Sequence, residues 1–359
     1  MNELFQELIY DQTLLSPRCA EKALWLRRAF EQAVRRRREV EEAHEISVPA
    51  VVVLSVTTRC NLNCVYCYAA THPQTGDMPE ELLDSILAQG QELGCFSFLL
   101  TGGEPFLHPR LLPIARRHPQ ILFLVFTNGT LMTPALAAEL ARLGNVIVLI
   151  SLDGDKLHTD ANRGAGVHDR VRHAFRDLRR AEALFGFSAT VTASNVAIVE
   201  SPGFLEELRS DGCRLGFYFE YIPVGRSPVL SFALAPARRS TFRQRVRDLR
   251  NRQQMFLVEF PGDEELQGGC LAAGRGLIHI NAQGFVEPCP AIHLAADSVA
   301  TKPLLDCLRS PVMTLLRERS RLRLDSPCKG VTPQESHACR LLGKEELLAQ
   351  ARLHSWSTG

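Results

Sequence analysis

Val51-Val52-Val53-Leu54-Ser55-Val56-Thr57-Thr58-Arg59-Cys60-Asn61-Leu62-Asn63-Cys64-Val65-Tyr66-Cys67-Tyr68 changes character halfway along. The first half, Val51–Val56, is a β-branched run of strand length. The second half is polar and carries three cysteines spaced C-x3-C-x2-C. Three thiolates this close in sequence can converge on one small inorganic centre. A structural zinc site takes four protein ligands as a rule. No fourth cysteine follows nearby, and His72 is the nearest other donor. A four-iron cube held by three cysteines would instead keep one iron open for a substrate or cofactor.

Working outward, short apolar runs recur downstream at Phe96–Leu100, Ile121–Phe126, Val146–Ser151, Ala189–Ala193 and Leu215–Tyr221. Helical windows near 79–93, 109–117, 133–143, 168–185 and 203–211 separate them. Strands alternating with helices predict successive parallel βαβ units. Six units are too few for a closed eight-stranded barrel, so the expected fold class is α/β, a partial (β/α)6 TIM-like barrel. In such barrels the chemistry sits in the loops after the strands. Upstream, residues 1–47 carry apolar positions at helical spacing, and the run Arg35–Arg38 reads as a solvated helix face. Downstream, Arg238–Gln254 reads as an Arg-rich helix. From Gly262 glycines, prolines and cysteines cluster. The expected organisation is an N-terminal helical segment over 1–48, the barrel over 49–235, and a linker helix with a small C-terminal domain over 236–359.

The chain has 359 residues, 45% hydrophobic and 23% charged, which is ordinary globular composition. Its 41 basic and 40 acidic residues leave a net charge of +1, which gives no support to nucleic-acid binding. No apolar run approaches the length of a membrane span, and no basic stretch precedes an apolar one at the N-terminus, so a cytoplasmic protein is expected. In a reducing compartment, eleven unevenly spaced cysteines read as ligands or catalytic groups rather than disulfides.

Cys60, Cys64 and Cys67, with Tyr66 before the last, resemble the signature of the radical S-adenosylmethionine (SAM) superfamily. A second element stands after the second strand, Thr101-Gly102-Gly103-Glu104-Pro105. It resembles the Gly-Gly-Glu-Pro element of that superfamily, which binds the SAM amino group. The two glycines would let the backbone approach a ligand closely, and Glu104 and nearby carbonyls would accept hydrogen bonds from the ammonium. Phe126-Thr127-Asn128-Gly129-Thr130 and Ile150-Ser151-Leu152-Asp153-Gly154 resemble the family's third and fourth strand ends. By that resemblance Ser151 and Arg163 would hold the SAM carboxylate. Thr192 and Asn195 would line the ribose, and Tyr221–Gly225 would pass the adenine. Without the resemblance, Ser151 reads as a turn residue, Arg163 as a surface cation, and the last two groups as ordinary strand termini.

The resemblance covers roughly 50–225 and implies a mechanism. A [4Fe-4S] cluster on Cys60, Cys64 and Cys67 would bind SAM at its open iron. An electron from a low-potential donor of flavodoxin or ferredoxin type would cleave it to methionine and a 5′-deoxyadenosyl radical. That radical would take hydrogen from a substrate C–H bond.

Near the C-terminus, Leu277–Asn281, the turn Ala282-Gln283-Gly284 and Phe285–Val286 predict a hairpin bringing Cys270 and Cys289 together. The run Cys270…Gly284-x4-Cys289 resembles the opening of SPASM and twitch domains, which hold auxiliary [4Fe-4S] clusters. One further cluster is expected, with Cys270, Cys289, Cys328 and Cys339 as ligands; three cysteines with an open iron, or zinc, are the alternatives. Cys19, Cys95, Cys213 and Cys307 read as core, and His279 and His293 as structural histidines. The resemblance implies an unidentified small-molecule or peptide substrate and a net oxidation or modification in cofactor, natural-product or peptide biosynthesis, with epimerisation as an alternative. A methyl or carbon-fragment transferase and a non-catalytic iron–sulfur or zinc protein are the rival readings. The Gly102–Pro105 element speaks against the latter, because an electron carrier has no use for a SAM amino-group site.

Overall fold

Val51–Thr57 forms strand β1, and each of its residues is buried. A strand inside a parallel sheet is covered on both faces, which is why this run is apolar apart from Ser55 and Thr57. The computed structural model describes residues 17–71, 74–224, 228–253, 255–292 and 295–321. Within them all six expected strands are present. They are β1, β2 (Ser97–Gly102), β3 (Leu122–Thr127), β4 (Val146–Ser151), β5 (Phe185–Val191) and β6 (Leu215–Glu220). Each pairs in parallel with the next.

The helices that precede or connect them are α1 (Pro17–His44), α2 (Glu80–Leu93), α3 (Leu111–Arg117), α4 (Pro134–Leu143), α5 (Lys156–Arg163), α6 (Val167–Arg180), α7 (Val196–Val199), α8 (Pro202–Asp211) and α9 (Pro236–Gln253). Local chemistry sets their ends. Thr133, Asp155 and Ser201 accept a hydrogen bond from the backbone three residues on, starting α4, α5 and α8. Gly144 ends α4 in the left-handed region. Helix α6 buries Val167, Val171, Ala174, Phe175 and Leu178, a single stripe at helical spacing.

Two expectations need correction. The fifth strand begins at Phe185 rather than Ala189, and the helix before it stops at Arg180 rather than 185. Phe185 stacks on Phe175 of α6 at 5.7 Å, and Phe187 packs edge-on against Phe204 of α8 at 5.7 Å. Those contacts pull the Phe-Gly-Phe run into the sheet. In addition, Arg37 of the basic run is buried, beside Gly94 at the end of α2, whereas Arg35, Arg36 and Arg38 are exposed as expected. Burial lowers the Arg37 pKa.

The sheet also runs past the expected barrel. Strand β7 (Phe256–Phe260) adds in parallel to β6, and β8 (Leu277–Ile280) adds in parallel to the opposite side of β1. The expected C-terminal hairpin is present, with β9 (Phe285–Glu287) antiparallel to β8 and β10 (Asp297–Ser298) beyond it. The order is β10-β9-β8-β1-β2-β3-β4-β5-β6-β7. The C-terminal hairpin thus continues the barrel sheet instead of forming a separate layer.

The sheet is strongly curved. An added Cβ on Gly90 of α2 would strike the ring of Phe98, so Phe98 faces the helices and its neighbours Leu99 and Thr101 face the other way. On that second face Phe126 of β3 touches Phe217 and Phe219 of β6 at 5.5 and 5.4 Å, although β4 and β5 lie between. Such contact exists only across a concave interior, so this is the inner face.

Candidate active site

The loop after β1 is held from three sides. Thr57 Oγ1 donates to Asp77 Oδ1 at 2.6 Å, and Arg59 grips the same carboxylate through Nε (2.9 Å) and Nη2 (2.6 Å). Asn128, at the end of β3, donates to Asn61 Oδ1 at 2.8 Å, and Asn61 donates to Thr130 Oγ1 at 2.8 Å. From α5, the Asn162 carbonyl accepts the Val65 N–H at 3.0 Å, and its Oδ1 accepts the Tyr66 N–H at 3.4 Å. The loop is thereby anchored at five points between Thr57 and Tyr66.

Cys60 is exposed, and Cys64 and Cys67 are half-buried. Burial raises the pKa of Cys60, and that of Cys64 to about 11, with the Arg163 charge opposing the shift at Cys64. The charges of Cys60 and Cys67 both act on Cys64, which places the three thiols around one region. The Leu62 N–H points at Cys60 Sγ at 3.4 Å. Among the described residues no three of His, Cys, Asp and Glu close tightly enough to hold a single metal ion. An all-thiolate set of three, gathered but not closed on one point, fits a polynuclear iron–sulfur cluster better than a lone zinc ion. Its remaining described cysteine relatives, Cys95, Cys213, Cys270, Cys289 and Cys307, are all buried. His72 lies outside the described residues.

The di-glycine turn follows β2 directly beside this loop. The Gly103 N–H donates to the Thr57 carbonyl and the Glu104 N–H to the Arg59 carbonyl, each at 2.8 Å. An added Cβ on Gly102 would collide with the Thr57 carbonyl, and one on Gly103 with the Arg59 carbonyl. The close approach that the glycines permit includes the cysteine loop's own backbone. Glu104 is likewise committed within the chain. It is 1% exposed and accepts from Thr127 Oγ1 (2.7 Å), the Asn128 N–H (2.7 Å) and the Phe106 N–H (3.1 Å). Burial raises its pKa while those donors oppose the shift. Glu104 thus locks the ends of β2 and β3 together, and Pro105 opens the short turn behind it.

At the end of β4, Arg163 takes Asp153 in a two-point grip, Nε to Oδ2 at 2.7 Å and Nη2 to Oδ1 at 3.0 Å. Asp153 also accepts from Asn162 Nδ2 at 2.7 Å and the Thr190 N–H at 3.1 Å. Burial alone would weaken the Arg163 charge, but Asp153 and Cys64 raise its pKa above the ordinary value. Arg163 was expected to clasp a carboxylate; the one its fork meets belongs to this chain, and it stands next to Cys64. Ser151 is half-buried, with its Oγ 3.4 Å from that of Ser188. Asn195 was expected to line a ribose. It is buried, and its side chain is engaged by Thr192, the Asp153 carbonyl and the Thr190 carbonyl at 2.7–3.0 Å, so it ties β4 to β5.

Tyr66 packs edge-on against Tyr221 at 5.7 Å, and both rings meet Phe232, at 5.7 and 6.0 Å. The end of β6 therefore reaches the cysteine loop. Burial, with Asp153 nearby, raises the Tyr66 pKa well above its ordinary value. Phe232, Asp153 and Asn162 were not singled out from sequence. Phe232 sits in an irregular segment with no motif around it, whereas Asp153 stood within a quoted strand end without an assigned role.

In the C-terminal region, Cys270 and Cys289 are both buried, and the Ala273 N–H donates to the Pro288 carbonyl at 3.0 Å, joining their segments. Cys328, Cys339 and His293 lie outside the described residues. Cys307 is buried in a short helix between Leu304 and Leu308, as expected of a core cysteine, and burial pushes it up to about 12. His279 is a satisfied buried histidine. Its Nε2 is 2.8 Å from Ser55 Oγ and its Nδ1 2.6 Å from Glu287 Oε2.

Comparison with known proteins places part of this chain in a family. Residues 54–186 match the radical SAM superfamily. An AdoMet-dependent heme synthase of Methanosarcina barkeri is 25% identical over 311 residues, spanning 77% of this chain and 87% of that protein. A PqqA peptide cyclase of Streptomyces rochei is 27% identical over 281 residues, 74% of this chain and 75% of that one. The fold is shared with SuiB of Streptococcus suis bound to S-adenosylmethionine (TM-score 0.66, 18% identity, 76% of this chain and 68% of that one). It is also shared with anSMEcpe bound to AdoMet (TM-score 0.60, 19% identity, 75% and 83%). Residues 54–186 of this chain therefore form a radical SAM superfamily domain. Domains of this superfamily work with a [4Fe-4S] cluster and SAM.

Proposed function

We propose that Cys60, Cys64 and Cys67 hold the SAM-binding cluster, and that the protein catalyses a net oxidation of a biosynthetic intermediate or peptide in the cytoplasm. The observation that carries this reading is the joining of the three-cysteine loop to the Gly102–Glu104 turn by paired backbone hydrogen bonds. When bound, the cluster supplies an electron that cleaves SAM to a 5′-deoxyadenosyl radical able to take a hydrogen atom from carbon.

The chain's own residues do the positioning. The Gly102–Pro105 turn and the inward-facing Ser151 hydroxyl supply the polar side of the SAM site. Arg163, pinned by Asp153, keeps a positive charge beside Cys64 and so favours its thiolate. Tyr66, Tyr221 and Phe232 pack an apolar flank against the cysteine loop and exclude water there. Cys270 and Cys289 are assigned to an auxiliary cluster of SPASM or twitch type, completed by Cys328 and Cys339. Such a cluster suits the removal of an electron from a substrate radical. A low-potential protein donor of flavodoxin or ferredoxin type completes the system.

The test is anaerobic reconstitution with iron and sulfide, followed by dithionite and SAM. 5′-Deoxyadenosine should form in the wild type and vanish in Cys60→Ala, Cys64→Ala and Cys67→Ala. A fully iron-loaded wild type that cleaves no SAM overturns the reading. Cys270→Ala and Cys289→Ala should lower iron per chain; unchanged iron removes the auxiliary cluster.

A further inference from the structure

In each of β2 to β7 the residues left partly buried lie on one face. Nearest the C-terminal ends these are Thr101, Phe126, Ser151, Thr190, Phe219 and Phe260, with Val258 below the last. Register joins them, because Thr190 pairs with Phe219 and Phe219 with Phe260. It is the inner face fixed by Phe98, which points the opposite way into α2. Incomplete burial there marks an open chamber inside the barrel, at the end where the cysteine loop sits.

From β2 to β7 its lining is uncharged. Hydroxyls come from β2, β4 and β5. Carbon comes from β3, β6 and β7, where Phe126 meets Phe219 at 5.4 Å and Phe219 meets Phe260 at 6.3 Å. Charges stand next to this wall in sequence but not in space. Glu220 follows Phe219, and Glu259 precedes Phe260. Strand alternation turns both outward. There Glu220 pairs with Arg239 (2.8 Å) and Arg243 (2.7 Å) of α9. A charged group pressed against the remaining wall would be desolvated without a partner, which is costly. Aromatic rings, by contrast, gain from edge and face contacts beyond the area they bury.

We propose that Phe126, Phe219, Val258 and Phe260 are the specificity wall of the substrate chamber, and that the substrate offers this wall an uncharged aromatic or broad apolar group. Its charged groups stay outside the strand ends. The inference rests on the radical SAM reading of the same site. Two sources carry such a group: an aromatic side chain in a peptide, or a tetrapyrrole ring.

The test uses the reconstituted full chain and three probes: a short peptide with a central tyrosine, the same peptide with lysine there, and free-base coproporphyrin. Affinities are measured by equilibrium dialysis, and SAM cleavage with dithionite is followed in the same preparation. If no 5′-deoxyadenosine forms even without a probe, the radical SAM reading fails and takes this proposal with it. If it forms, the tyrosine peptide or the porphyrin should bind, and the lysine peptide should bind at least about tenfold more weakly. Binding of the tyrosine peptide assigns the peptide source, and binding of the porphyrin alone assigns the tetrapyrrole. Equal binding of the two peptides, or binding of no probe, overturns the proposal. The double variant Phe219→Leu/Phe260→Leu keeps the wall apolar. It should weaken the bound probe about tenfold, equivalent to ~1.4 kcal/mol; unchanged affinity also overturns the proposal.

Discussion

Asp153 and Arg163 form a two-point ion pair in which the carboxylate is 0% exposed, and the same carboxylate reaches the cysteine loop through Asn162. Removing one partner of a buried pair strands the other charge, at a cost of about 3–5 kcal/mol. Asp153→Ala should therefore lower the urea midpoint by a matching amount and reduce iron uptake, because Asn162 loses its anchor. An unchanged midpoint in Asp153→Ala would show that the pair carries no load.

Gly103 lies where a side chain has no room. A methyl group there meets the Arg59 carbonyl, which is backbone and cannot swing aside. Gly103→Ala should cost about 1–3 kcal/mol through overpacking and displace the Cys60 loop. Calorimetry should record a lower melting temperature, together with fewer irons per chain after reconstitution. Full iron loading with wild-type melting would contradict the docking of turn against loop.

Glu259 supplies a pH signature. Burial, and next the Glu220 charge, push it up to about 8, with Arg243 opposing. Between its ordinary value of 4.5 and about 8 the folded chain keeps a proton that the unfolded chain releases. Its contribution to stability is therefore fully present below that window and is lost as pH rises through it. Glu259→Gln should remove this decline. Denaturant midpoints of wild type and variant, compared across the window, should diverge as pH rises; parallel curves would refute the assignment.

His279 stitches the C-terminal hairpin to β1, bonding Ser55 on one side and Glu287 on the other. Replacing it with leucine leaves two buried polar groups without this partner, each worth about 1–3 kcal/mol. Amide exchange in β8 and β9 should accelerate in His279→Leu more than in β3 or β4. Uniform acceleration across the sheet would mean that the contact is not local.

The order of strands β1 to β6 and the placing of the two motifs after β1 and β2 were readable along the chain. Apolar runs of strand length need only local pattern, and a cysteine triplet is visible as spacing. The fifth strand was misplaced because the Phe-Gly-Phe run at 185–187 carries no decisive period of its own. Strand β7 was missed because Glu259 interrupts its apolar pattern, and that residue is accommodated in the sheet where Arg243 of α9 approaches. Nothing near Leu277–Ile280 announces that this strand lies against β1, more than two hundred residues earlier.

The site divides in the same way. Which residues offer thiols, glycine turns and carboxylates was legible, because such groups declare their chemistry wherever they stand. Whether each donor is free was not. Glu104, Arg163 and Asn195 all read as ligand-facing groups, yet each is held by partners at strand ends of this chain. A buried polar group must be satisfied by whatever the fold brings beside it, and that neighbour is set by long-range pairing rather than by local sequence.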